Sequence, residues 1–119
     1  MFSTASLCIV GNFIVTSPIY VVVSLWIENG SIAAFEAYER KAAKIMKRYG
    51  GSIERAIRLS PNAEQPNQPF EVHLVRFPGH EMFVGYSLDS ELKALSSERN
   101  AAIAKSVVVM GYENPPYVT

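Results

Sequence analysis

The chain contains strand-like runs that are apolar on both faces, and too few helices to cover them. Ile19–Ile27 reads IYVVVSLWI and Lys105–Tyr112 reads KSVVVMGY. A strand with one wet face alternates apolar and polar residues, whereas a strand buried on both faces is a continuous apolar run. Two convincing helical stretches accompany these strands, and two helices cover one face of a small sheet. The second face needs another cover, and a partner subunit is the economical one. Architecture is therefore better specified than chemistry.

A chain of 119 residues makes one domain, and 49% hydrophobic with 18% charged residues suits a soluble globular one. Net charge is zero, so no whole-molecule field draws the protein to nucleic acid. The single cysteine, Cys8, cannot form an internal disulfide, and no Cys/His spacing resembles a zinc site. The first 27 residues carry no charge. That length raises a transmembrane helix. Asn12 and Pro18 interrupt the run, its β-branched content is high, and no basic residue precedes Leu7, so neither insertion nor secretion is expected. The expected location is cytoplasmic. Residues 1–17 are read as an apolar N-terminal extension with an extra strand in LCIVGNFIV, and residues 18–119 as the domain. An interaction strand or a membrane tether stays open as the role of the extension.

Asn29-Gly30-Ser31 breaks the first core strand, and Ser31 is placed to cap a helix over about 32–49. Ile32, Phe35, Tyr38, Ala42, Ile45, Met46 and Tyr49 form its apolar stripe. Gly50-Gly51 ends it, with one glycine in the left-handed cap conformation. Residues 52–59 read as a second strand with Ile53, Ile57 and Leu59 on one face. Residues 60–69, SPNAEQPNQP, read as a loop. Phe70–Phe77 is a third strand. Pro78-Gly79 leads into a short helix over 80–86, and a second helical piece spans 90–104 with Asp89 as its cap. Asn114-Pro115-Pro116 ends regular structure.

The order is βαββαβ, the ferredoxin-like split βαβ pattern, with an antiparallel sheet and both helices on one face. The apolar open face is where two subunits would pack. Over about residues 20–112 the chain resembles the DUF1330 family of small bacterial proteins, in the dimeric α+β-barrel superfamily. The resemblance rests on Phe35 and Tyr38, on Tyr49-Gly50-Gly51, on Phe77-Pro78, and on Glu81, Tyr86, Glu91, Leu95 and Arg99 at ungapped spacing. Tyr86-Ser87 stands where the family often has Trp-Tyr. The resemblance implies a homodimer, without an established reaction. Superfamily relatives include cofactor-independent monooxygenases, isomerases and haem-binding enzymes.

Arg99 is the first candidate for chemistry, because it falls within the inward stripe Leu88, Leu92, Leu95, Ala102 and Ile103 of the last helix. A charge on a buried face needs a partner or an anionic ligand. The planar guanidinium suits a carboxylate or enolate, and the competing reading pairs Arg99 with Glu71 or Glu91. His73 shares a strand face with Glu71, Val75 and Phe77 and is the candidate acid–base group, against a plain core histidine. Tyr20, Trp26, Tyr38 and Tyr86 are aromatic candidates for a pocket lining, with Tyr38, Tyr86 and Arg99 the expected substrate-binding set. His80, after Pro78-Gly79, is expected exposed. No metal site or cofactor is expected, and Gly50-Gly51 ends a helix, the wrong end for phosphate. Residues 40–58 hold seven basic side chains against one acidic, read as a solvated helix face rather than a nucleic-acid surface. The expected function is binding or transformation of a small organic acid or aromatic metabolite in a pocket between helices and sheet. A non-catalytic ligand-binding or protein-interaction dimer is the alternative, so whether the protein is an enzyme stays open.

Overall fold

The structure is a computed structural model. It describes residues 7–10, 13–114 and 117, with side chains from Ser17 onward. The side chain of Cys8 and the Pro115-Pro116 stop lie outside the described residues. Leu7–Val10 (β1) and Phe13–Thr16 (β2) pair antiparallel, in register from Leu7 opposite Thr16 to Val10 opposite Phe13. The extra strand expected there is thus two short ones, and they form a sheet of their own.

The domain itself comprises Ile19–Ile27 (β3), Ile32–Lys47 (α1), Ser52–Arg58 (β4), Glu71–Phe77 (β5), His80–Ser87 (α2), Ser90–Ala94 (α3), Ser96–Ala102 (α4) and Ile103–Gly111 (β6). The four strands lie in the order β4-β5-β3-β6, every neighbour antiparallel. This is the ferredoxin-like α+β fold read from the sequence. Among the described residues no helix is long and apolar enough to cross a membrane.

Successive strand residues point to opposite faces, so β3 divides cleanly. Ile19, Val21 and Leu25 are buried against the helices. They join two core groups. Leu25 packs with Phe35, Tyr38, Ala42, Ala102 and Ile103. Ile19 and Val21 pack with Met46, Val75 and Phe77. On the other face, Val22, Ile57, Val107 and Val109 are exposed. Tyr20 and Trp26 share that outer face by alternation, so neither lines a pocket beneath the helices as expected. Trp26 instead donates from Nε1 to the Asn67 carbonyl at 3.0 Å and carries Lys105 Nζ 4.6 Å above its ring. That bond, with Gln68 Nε2 donating to the Ser60 carbonyl at 2.6 Å, ties down the 60–69 loop.

Other expectations change for local reasons. Ser31 stands at the start of α1, but its side chain makes no capping bond. A register shift between Ile53 and Arg55 bulges β4. One extra residue reverses the facing of the rest of the strand, so Ile53 packs into the core while Ile57 faces out at 53% exposure. Phe70 precedes β5 rather than opening it, and meets Phe35 edge to face at 5.8 Å. The last helical piece breaks at Leu95, where Ser96-Ser97 begin a new helix, serine favouring helix starts over interiors. Strand β6 then takes Ile103, which the sequence pattern leaves in the helix. Leu88 is 63% exposed and leaves the inward stripe. His80 is half-buried beside Ile19, Met110 and Tyr112, not exposed.

Candidate functional site

A cavity of about 220 Å³ lies between the two core groups, roofed by the helices and floored by the sheet. Its walls are mainly apolar. Its polar side chains are Tyr38, Glu39, His73, Tyr86, Ser87 and Arg99. Tyr38, His73, Tyr86 and Arg99, all named from the sequence, are therefore brought to one space.

Arg99 reaches the cavity from α4. Its Nη2 donates to Ser106 Oγ on β6 at 2.8 Å. The carboxylates considered as its partners are engaged elsewhere. Glu71 Oε1 meets Arg58 Nη2 at 2.8 Å, and Glu91 Oε1 meets Arg48 Nη2 at 2.9 Å. Among the described residues no ion pair includes Arg99. A guanidinium in a partly apolar cavity with a neutral hydroxyl partner keeps donors for an anion.

Tyr38 projects from the buried face of α1. Burial pushes its hydroxyl pKa up, and the neighbouring Arg99 guanidinium opposes that rise. Tyr86 comes from α2 and packs on Phe77 at 5.6 Å between ring centres. Burial raises its pKa strongly, with Tyr38 adding to the shift. Both phenols are thus neutral near pH 7 and able to donate hydrogen bonds. Ser87 donates its hydroxyl to the Phe83 carbonyl at 3.0 Å, a bond internal to α2.

His73 points inward from the centre of β5 and is 4% exposed. Its Nε2 lies 2.6 Å from Glu71 Oε2, and its Nδ1 lies 3.7 Å from Glu39 Oε1. Glu71 is held on its far side by Arg58, whose Nη2 also meets Glu36 Oε2 at 3.1 Å. A line of side chains runs from the cavity wall at Glu39, through His73 and Glu71, to Arg58 at the surface. Burial raises the Glu39 pKa above the ordinary glutamate value. His73 and Arg99 oppose that rise, and Glu71 adds to it.

Sequence reasoning missed Glu39. The signal was present, since Glu39 follows Phe35 by four residues and precedes Ala42 by three. That spacing puts it on the inward stripe of α1. Among the described residues no group of three His, Cys, Asp or Glu side chains is placed to hold a metal ion. Of the seven basic residues in 40–58, Arg40, Lys41, Arg48 and Arg58 pair with carboxylates.

No family model and no curated protein matches the chain. Solved structures do. A protein of unknown function from Rhodopseudomonas palustris aligns with TM-score 0.71 at 20% identity, over 84% of this chain and 85% of that one. SnoaB, a cofactor-independent oxygenase from Streptomyces nogalater, aligns with TM-score 0.63 at 15% identity, over 83% and 95%. A protein of the dimeric α+β-barrel family with a ferredoxin-like fold, from Mesorhizobium loti, aligns with TM-score 0.61 at 14% identity, over 83% and 99%. At these identities the likeness establishes the fold alone. The chain has the ferredoxin-like α+β fold that these structures share.

Proposed function

We propose that this is a DUF1330-like cytoplasmic protein that works as a homodimer and binds, then transforms, a small organic acid or aromatic metabolite without a cofactor. Arg99 takes the ligand's carboxylate, Tyr38 and Tyr86 line and orient it, and His73 with the carboxylates beside it supplies acid–base function. The observation that carries the reading is a cavity of about 220 Å³ with mainly apolar walls and one arginine free of any carboxylate partner among the described residues. Apolar walls with a few convergent polar groups are what small-ligand sites have in common. The dimer reading is supported by the exposed valines of the outer sheet face. The oxygenase name of one structural neighbour is compatible with chemistry on a small acid or phenol.

Phenylpyruvate, which carries a carboxylate, an aromatic ring and an acidic methylene, is a suitable probe. Saturation-transfer NMR and calorimetry are expected to detect binding to the wild type. Arg99→Ala is expected to weaken it about 10- to 100-fold, the size of one or two charge-assisted hydrogen bonds. Equal binding by the variant would remove Arg99 from the site. Absence of binding by the wild type would remove the acid site itself.

A further inference from the structure

Both ring nitrogens of His73 are turned to carboxylates. Nε2 is 2.6 Å from Glu71 and Nδ1 is 3.7 Å from Glu39. With the ring 4% exposed, His73 offers little surface to a molecule in the cavity. Glu39 offers more. Its side chain is 21% exposed and forms part of the cavity wall, on the same side of the sheet as Arg99 and Tyr38. One of its oxygens faces His73, which leaves the other available to a ligand.

We propose that Glu39 is the group that exchanges a proton with a carboxylate ligand held by Arg99, and that His73 is the positioning residue behind it. This rests on the reading of the cavity as a small-acid site. Glu71, itself fixed by Arg58 at 2.8 Å, orients the imidazole from behind. The imidazole in turn orients Glu39. The arrangement selects a substrate with an acidic C–H or O–H a short distance from its carboxylate. In the C–H case the bond breaks, its proton goes to a Glu39 oxygen, and the electron pair stays on the ligand as an enolate. The same oxygen then returns the proton. No oxidant or second reactant is needed.

Burial keeps the carboxyl of Glu39 above its ordinary range, which makes it a better proton acceptor than an exposed glutamate. The charged and titratable groups facing it are Tyr38 on its own helix, His73 and Glu71 on β5, Arg99 on α4 and Tyr86 on α2.

The test is deuterium exchange into the methylene of phenylpyruvate in D₂O, followed by proton NMR with binding measured in parallel. Wild type is expected to bind and to accelerate exchange. Glu39→Gln is expected to bind equally and to lose exchange by about 100-fold or more, the usual weight of a general base. Glu39→Asp, which keeps a carboxylate, is expected to recover part of the rate and guards against a folding artefact. His73→Asn is expected to keep a reduced rate whose pH profile moves to higher pH, since His73 holds the Glu39 pKa down. Binding with undiminished exchange in Glu39→Gln overturns the assignment alone. So does loss of exchange in His73→Asn with Glu39→Gln unaffected, or binding without exchange in the wild type. Absence of wild-type binding overturns the acid site and this assignment together.

Discussion

Glu39 shows how burial gives one side chain its chemistry and charges the fold for it. Its folded pKa is raised, so ionising it favours the unfolded chain. Its contribution to stability is full below the unfolded glutamate value and falls as pH rises through the folded value. Glutamine carries no such loss. Glu39→Gln is therefore expected to be more stable than wild type at pH 8 and equal to it near pH 4, in denaturant midpoints taken at both. Lower stability of the variant at pH 8 would show that attraction to His73 and Arg99 outweighs burial. At this scale the sequence made four cavity residues legible, because Tyr38, Tyr86, His73 and Arg99 each carry a chemistry unusual for an inward stripe. It also offered Tyr20 and Trp26, which strand alternation sends to the other face. Glu39 stayed hidden because a glutamate in the middle of a helix is most often on the solvated face.

At the scale of elements, junctions matter more than the elements. Helix α1 ends through Gly50 at φ 72°, and the Gly51 N–H donates to the Met46 carbonyl at 3.1 Å. A Cβ at Gly51 would sit 2.5 Å from Phe77 Cε1 and 2.6 Å from Met46 Cγ. Phe77 is 1% exposed and cannot easily yield. Gly51→Ala is expected to cost about 1–3 kcal/mol by overpacking, read in urea midpoints. An unchanged midpoint would mean that the ring can move aside. A second junction holds α3. Asp89 accepts from the Glu91 and Leu92 N–H groups and from the Tyr49 hydroxyl at 2.6 Å. The Tyr49 bond is the main cause holding the Asp89 pKa below its usual range, with the Leu92 N–H next. This joins the end of α1 to the α2–α3 turn. The sequence signalled the glycine pair and the Asp89 cap because both are local chemistry. It did not signal the bulge in β4, which is set by what the strand meets across space. The break at Leu95 had a local signal in Ser96-Ser97, masked by the helical spacing of Leu88, Leu92, Leu95 and Arg99.

Among the described residues of the whole molecule, the four-stranded sheet has one covered and one uncovered face. Val109 is 56% and Ile57 53% exposed, with Val22 and Val107 beside them. A contiguous apolar patch on a small protein marks an interaction site. The proposed homodimer would cover it. Val109→Glu is expected to convert a dimer into a folded monomer, by light scattering after size exclusion with an unchanged circular dichroism spectrum, because a buried unpaired carboxylate costs several kcal/mol. A monomeric wild type, or a dimeric variant, would move the subunit contact elsewhere.

The sequence by itself determined the order of the elements, the doubly apolar strands and most of the residues whose chemistry meets in the cavity. Periodicity and turn chemistry are local, and they survive in a string of letters. Only the tertiary structure decided that Arg99 has no carboxylate partner among the described residues, that His73 lies buried between Glu71 and Glu39, and that Glu39 faces the cavity. Those facts depend on which of several acids each base reaches. That choice is fixed by strand register and helix packing, where residues far apart in the chain come within a few ångströms.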